Sequence, residues 1–187
     1  RNMPAEFGAP AKVSITENDN KILIQILSYD TSGKLTNIVS NTLRQNIANY
    51  LSNYRMMNDY ISIFTAEVID LGVEVSIVLD SAQNSGQVIS SVIDKISAYF
   101  NPQTRELGQN VYLSEIKSLI QNTNGVLTVA GLDVYNQVGG QYSSAETSMS
   151  YADAETKLIS TVDDTIFAQP SQVYQIRYPT KDIKVSV

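Results

Sequence analysis

The 187-residue chain contains no cysteine, no histidine and no tryptophan. Without cysteine there are no disulfide staples, thiol nucleophiles or thiolate zinc sites. Without histidine the commonest general base and the imidazole metal ligand are gone as well. The lack of cysteine suits either redox compartment, so it gives no location. Charge is also sparse: 17% of residues are charged, the net charge is −6, and the 13 lysines and arginines are scattered singly. A nucleic-acid-binding surface works by releasing counterions from clustered cations, so nucleic acid is not expected as a partner. No apolar run approaches the roughly 18 residues that span a bilayer, and neither a signal-peptide pattern nor an Asn-x-Ser/Thr sequon is present. A membrane partner is therefore not expected either. The chain opens on Arg1, which reads as the mark of a piece of a longer polypeptide.

What is present is a core. The 43% of apolar residues suffice for one large domain or two small ones. Residues 1–10, RNMPAEFGAP, are small and Pro-bearing, as a linker or arriving segment would be. KVSIT and KILIQIL, separated by ENDN, read as a hairpin, with Ile22, Ile24 and Ile26 on one face and Leu23 and Leu27 on the other. Such a strand is covered on both sides. From Leu35 to Tyr54, apolar residues recur every three or four positions, which predicts a helix, with DTSG supplying its turn and cap. In YISIFTAEVIDLGVEVSIVLD the alternation slips by one residue after Ile63, which predicts a bulge near Thr65. Beyond Gly72 it is regular, with Val73, Val75, Ile77 and Leu79 inward.

Val88, Ile89, Val92, Ile93, Ile96, Tyr99 and Phe100 stripe a second helix that Pro102 ends. Ser114 to Asn122 is a third, and Val126 to Tyr135 a strand. From Asn136 the composition turns Gly/Ser/Thr-rich, which reads as a loop; ADAETKLIST gives at most one or two helical turns, and two strand candidates flank Pro179. The expected class is α+β: consecutive strand-strand-helix modules with helices packed on mixed or antiparallel sheets, then an irregular tail containing strands. The expected division is 1–10 as linker, 11–80 as a first module, 81–135 as a second helix-helix-strand module, and 136–187 as polar loop and tail.

Candidate chemistry is thin. No G-x-x-x-x-G-K or G-x-G-x-x-G exists, and Gly139-Gly140 precedes no convincing helix. Asp163-Asp164, or Glu146 with Asp153 and Glu155, could hold a hard cation in principle, but without EF-hand spacing a solvated surface is the plainer account. TENDN (Thr16 to Asn20) is explained by turn chemistry. Ser114 and Lys117 could form a dyad on the third helix, yet a helix-flanking Ser and a solvent-facing Lys explain them as well. No catalytic residue, metal site, cofactor or small-molecule substrate is assigned.

The eleven tyrosines offer more. Tyr142, Tyr151, Tyr174 and Tyr178 lie in the polar C-terminal third, where no core is apparent in the sequence. Tyrosine buries a large area at low entropic cost and keeps a polar tip, so these four are the candidate protein-interface residues. Two readings stand side by side: the tail is an arm added to a neighbour, or it folds back on its own sheet.

The stretch LGQNVYLSEIKSLIQNTNGVLTV, Leu107 to Val129, places glycines on both sides of the short helix. It reads as a joint seating a helix on a sheet, with Asn124-Gly125 as a left-handed stop. Leu107, Gly108, Val111, Ser114, Ile116, Ile120, Gly125 and Val126 follow the closing pattern of the baseplate J-like proteins of contractile-tailed phages, and residues 11–135 as a whole resemble that family. The resemblance implies a non-enzymatic structural component of the virion tail. It would form a homodimer, contact other baseplate wedge proteins in the ring, and take part in the conformational change that triggers sheath contraction. The other reading is a carbohydrate- or small-molecule-binding α+β domain.

Overall fold

The computed structural model describes residues 8–18, 21–54 and 60–187. The expected hairpin comes first: β1 (Lys12–Asn18) pairs antiparallel with β2 (Lys21–Tyr29). Asp19 and Asn20, like most of the 1–10 segment, lie outside the described residues. Ile24 and Ile26 are buried on one face of β2 and Leu27 on the other, so the strand is indeed covered on both sides.

The first helix is shorter than its periodicity predicts. Leu35 and Thr36 form β3, antiparallel to β2, and α1 runs only from Asn41 to Ser52. Leu35 is fully buried as a strand residue, while Ile38 is 81% exposed. The helix start is fixed by Ser40, whose side chain accepts a hydrogen bond from the Leu43 N–H. DTSG is instead a turn closed by Asp30 Oδ1, which accepts from the Ser32 and Lys34 backbone N–H groups.

The predicted bulge near Thr65 is a transfer between sheets. β4 (Tyr60–Thr65) pairs parallel with β2, whereas β5 (Glu67–Leu79) belongs to a second, six-stranded sheet. The change falls at Ala66: its N–H bonds Ile26 O at 3.0 Å, and the next N–H, from Glu67, bonds Ser171 O at 2.8 Å. A one-residue slip in the apolar pattern reverses which face is buried. Here the partner sheet changes at that point.

In the large sheet β5 is flanked by β7 (Val126–Gln137), antiparallel, on one side. On the other side lie β11 (Gln172–Gln175) and β12 (Ile183–Ser186), both parallel to it. A short helix α4 (Pro179–Asp182), with Pro at its first turn, joins those two. The residues of ADAETKLIST are not helical. They form β8 (Tyr151–Asp153) and β9 (Leu158–Ile159), joined by a turn in which Asp153 caps the Glu155 N–H and Lys157 takes a φ of 59°.

α2 (Ser85–Tyr99) is capped by Asn84 and packs Val92 and Ile96 in the core of the large sheet, with Val88 buried beside Gly125; α3 (Leu113–Gln121) adds Leu113, Ile116 and Ile120. They meet Val73, Val75, Ile77, Leu132 and Val134 in the main core. Each such side chain contributes about 1.5–3 kcal/mol on burial. A two-stranded pair, β6 (Val111–Tyr112) with β10 (Thr165–Ile166), leads into α3. The glycine-bracketed stretch is a packing joint: Gly125, at φ 93°, presses against α2 so closely that a Cβ would sit 2.7 Å from Val88 Cγ2. The architecture is α+β, with a mixed sheet in each half.

Candidate functional site

The polar C-terminal third closes over β5 along a seam built around one buried carboxylate. Asp70 is the fourth residue of β5 and is fully buried. Its Oδ2 accepts from the Ser143 N–H at 2.7 Å and its Oδ1 from Gln175 Nε2 at 2.9 Å. Burial pushes the Asp70 carboxyl above its ordinary range, against these two hydrogen bonds and the Arg177 charge. Asp182, also buried, accepts from the Tyr142 hydroxyl at 2.5 Å and from the Tyr178 N–H at 2.7 Å. Arg177 pairs with Asp30 at 3.2 Å, and Lys34 donates to the Arg177 carbonyl while lying 3.8 Å from the Tyr178 ring centroid. The seam therefore also binds the turn between β2 and β3 of the small sheet.

Asn136 is a strand residue, the penultimate one of β7, and not the start of a loop. Its buried Oδ1 accepts from the Thr147 N–H at 2.7 Å and from the Tyr151 hydroxyl at 3.0 Å, and its Nδ2 reaches Asp70 O at 3.3 Å. A buried amide with such a partner set fixes the course of the segment that follows. Several backbone groups of the polar residues after Asn136 are taken by this network and by one another, as in the bonds from Gly139 N–H to Ser143 O and from Tyr142 N–H to Gly139 O.

The four candidate tyrosines separate. Tyr174 is fully buried in the chain's own core, its hydroxyl 2.8 Å from Thr147 Oγ1 and from Phe167 O. It has no surface to offer a partner, which corrects its place among the interface candidates. Burial was invisible because its neighbours in sequence, Gln172 and Gln175, are polar; both are themselves buried and bonded, to Glu67 and to Asp70. Tyr142 and Tyr178 meet edge to face at 5.8 Å and are half-buried. Tyr151, also half-buried, stacks under Lys157, which pairs with Glu146 at 3.2 Å. Burial first, then the Glu146 charge, push the Tyr151 hydroxyl up to about 12, and burial with Asp182 raises Tyr142 further. These phenols stay protonated and serve as donors.

The remaining candidates are held apart by local bonds. Asp164 pairs with Lys117 at 3.1 Å, so Lys117 is directed to that carboxylate. Asp153 is spent on Thr156 and Glu155, and Glu146 on Lys157. Among the described residues no group of three or more acidic side chains is placed to hold a metal ion. None of their helices is long and apolar enough to cross a membrane. Sequence reasoning missed Asp70, Asn136, Gln175 and Asp182. The one available signal was Asp70, a carboxylate set among Val68, Ile69 and Leu71 in a long apolar strand.

No protein-family model matches the chain, and no curated protein sequence matches it. Among solved structures, its fold is similar to that of a chain in the anti-feeding prophage baseplate, determined by cryo-EM with six-fold symmetrisation. The TM-score is 0.57 at 11% sequence identity, over 89% of this chain. The match covers 33% of that chain, so the present chain spans about a third of its length.

Proposed function

We propose that the chain is a structural, non-enzymatic module of a contractile-tail baseplate. The observation that carries this reading is the similarity of fold, over 89% of this chain, to a third of an anti-feeding prophage baseplate chain. It agrees with the independent resemblance of residues 11–135 to baseplate J-like proteins. Within that reading the chain corresponds to the C-terminal portion of the large wedge subunit of T-even-type phages. It is then located in the virion tail, where it contacts other wedge proteins and a second copy of itself. The bonded seam suits such a role, because it makes the C-terminal third part of a stiff body that can move as a unit when interfaces rearrange.

Self-association is assigned to the accessible edges of Tyr142 and Tyr178, which meet each other, and to that of Tyr151. Labelling purified tail particles through a tag on this chain tests the placement. Label at the baseplate end is expected; label along the sheath, or none on intact tails, would sink the reading. Sedimentation of the isolated chain over rising concentration tests the self-contact, and a monomer throughout would remove it.

A further inference from the structure

β4 is an edge strand flanked by a helix. It pairs with β2 in unbroken register from Tyr60 to Thr65, and among the described residues no strand pairs with its other side. Such an edge presents unpaired N–H and C=O groups, and proteins ordinarily blunt it with lysine, proline or a bulge. The six residues of β4, YISIFT, include none of these. Alternate residues of a strand turn their backbone groups to opposite sides. Ala66, next in the chain, gives its N–H to Ile26 O of β2, so Ile61, Ile63 and Thr65 turn theirs to the open side.

The same three residues direct their side chains to α1. Ile61 and Ile63 pack against the cluster beneath the helix, and Thr65 Oγ1 accepts from Arg44 Nη2. Arg44, Gln45, Ala48 and Ser52 lie on the face of α1 turned to β4. With Ile61 and Ile63 they wall a groove of about 320 Å³. Arg44 is the one charge in that wall, and its Nε is buried with no acceptor. Among the described residues no carboxylate pairs with Arg44. The next acid along the chain from β4, Glu67, accepts instead from Gln172.

A buried guanidinium nitrogen without an acceptor is costly, and a carboxylate is the strongest acceptor it can be given. We infer that the groove between α1 and β4 takes an extended acidic segment of a neighbouring protein. Its backbone adds to the open side of β4. Small apolar side chains at alternate positions lie on Ala48, Ile61 and Ile63, and a glutamate or aspartate on the same face reaches Arg44. From Ile61 to Thr65 the strand spans about 13 Å, room for about five residues of such a segment. The net charge of −6 does not oppose this, because at physiological salt it is screened beyond about 8 Å while the Arg44 contact is direct. An occupant without a carboxylate would leave the Arg44 nitrogen as it stands, so acidity selects the partner.

The probes are two end-capped peptides, valine-threonine-valine-threonine-glutamate and the same residues in reverse order, one for each strand direction. Controls replace the glutamate by glutamine or N-methylate alternate residues so that the sheet cannot extend. Binding to the whole chain is followed by fluorescence anisotropy and NMR shifts. One order should bind, with shifts centred on residues 61–65, at least a tenfold loss for the glutamine peptide and no binding of the N-methylated one. Arg44→Met keeps the apolar stem and should bind the glutamate and glutamine peptides equally. Ala48→Glu puts a carboxylate four residues beyond Arg44 on the same face, pairs it internally, and should abolish binding without lowering the thermal midpoint. Equal binding of the glutamine or N-methylated peptide, unchanged binding by A48E, shifts centred elsewhere, or no response to either order would overturn the inference. The outcome is separable from baseplate membership. A chain that labels tails but ignores the peptides loses this groove alone, and one that takes a peptide but joins no tail loses the assembly reading alone.

Discussion

Asp70 shows how a single buried charge sets the energetics of the seam. Its folded-state value is raised above the ordinary 3.8 by burial. The contribution of such a group is complete below 3.8 and is lost as the pH rises through the raised value, so at neutral pH the ionised carboxylate is a cost offset by its two donors. The Gln175 side chain also has an oxygen, Oε1, buried without a partner. Asp70→Asn would keep one acceptor for the Ser143 N–H and, after rotation of the Gln175 amide, would donate to that oxygen. We expect D70N to lie within about 1 kcal/mol of the parent at pH 7, or above it, and to flatten the pH dependence in the window above 3.8. Asp70→Ala strands two buried donors and should cost about 2–4 kcal/mol. Urea midpoints at pH 5 and 7 decide both, and a large loss in D70N would contradict this account.

Gly125 gives a second residue-scale test. Any side chain there meets both a positive φ of 93° and the Val88 methyl. Gly125→Ala should therefore cost about 1–3 kcal/mol. Adding Val88→Ala would relieve the contact but not the backbone strain, so the double variant should recover less than half of what a purely steric clash would return. An unchanged urea midpoint for G125A would show that the joint is loose.

At the scale of elements, the C-terminal third is an internal part of the fold. Ile159, Ile166, Tyr174, Ile176 and Ile183 belong to the main core, and β11 and β12 pair with Glu67–Asp70 and Val73–Ser76 along one side of β5. At about 1.5–3 kcal/mol for each side chain, their removal is comparable to the 5–15 kcal/mol that holds a typical domain together. A chain ending before Asn136 is expected to lose its near-UV tyrosine signal and aggregate, so the interface is better tested by substitutions at Tyr142 and Tyr178. A soluble, folded truncation would mean that the tail is an appendage after all. The elements readable in advance were those whose apolar period is long and capped, namely α2, α3, β2 and the second half of β5. Those misread, the start of α1 and the β8–β9 hairpin, are short, and their state was set by a strand partner or a turn distant from the periodic signal.

For the whole molecule, the decisive feature is the continuous run through Ala66. β4 serves the small sheet and β5 the large one, and a cluster of Leu27, Leu35, Ala66, Val68 and Val173 fills the space between. Lys12 on Gln103 O and Asp30 with Arg177 tie the two halves again at separate points. We expect one unfolding transition, with far-UV and tyrosine signals coinciding. Ala66→Leu, which overfills that cluster, should lower stability by about 1–3 kcal/mol and leave the transition single. Two resolved transitions in the parent chain would show that the halves are independent bodies, which would weaken the rigid-module reading.

The sequence by itself determined the class of fold, the apolar stripes of the helices and the inward face of β5, because those depend on period alone and period survives in one dimension. It also removed thiol and imidazole chemistry, since residues that are absent cannot act. Only the tertiary structure decided that the slip at Ala66 is a change of sheet, that Tyr174 lies in the core and that a polar tail is folded. In each case the deciding partner is remote: Ile26 and Ser171 for the two sides of Ala66, Thr147 for Tyr174, and Asp70 for Ser143 and Gln175. A polar side chain reads as exposed until its hydrogen-bond partner is known, and that partner is supplied by the fold.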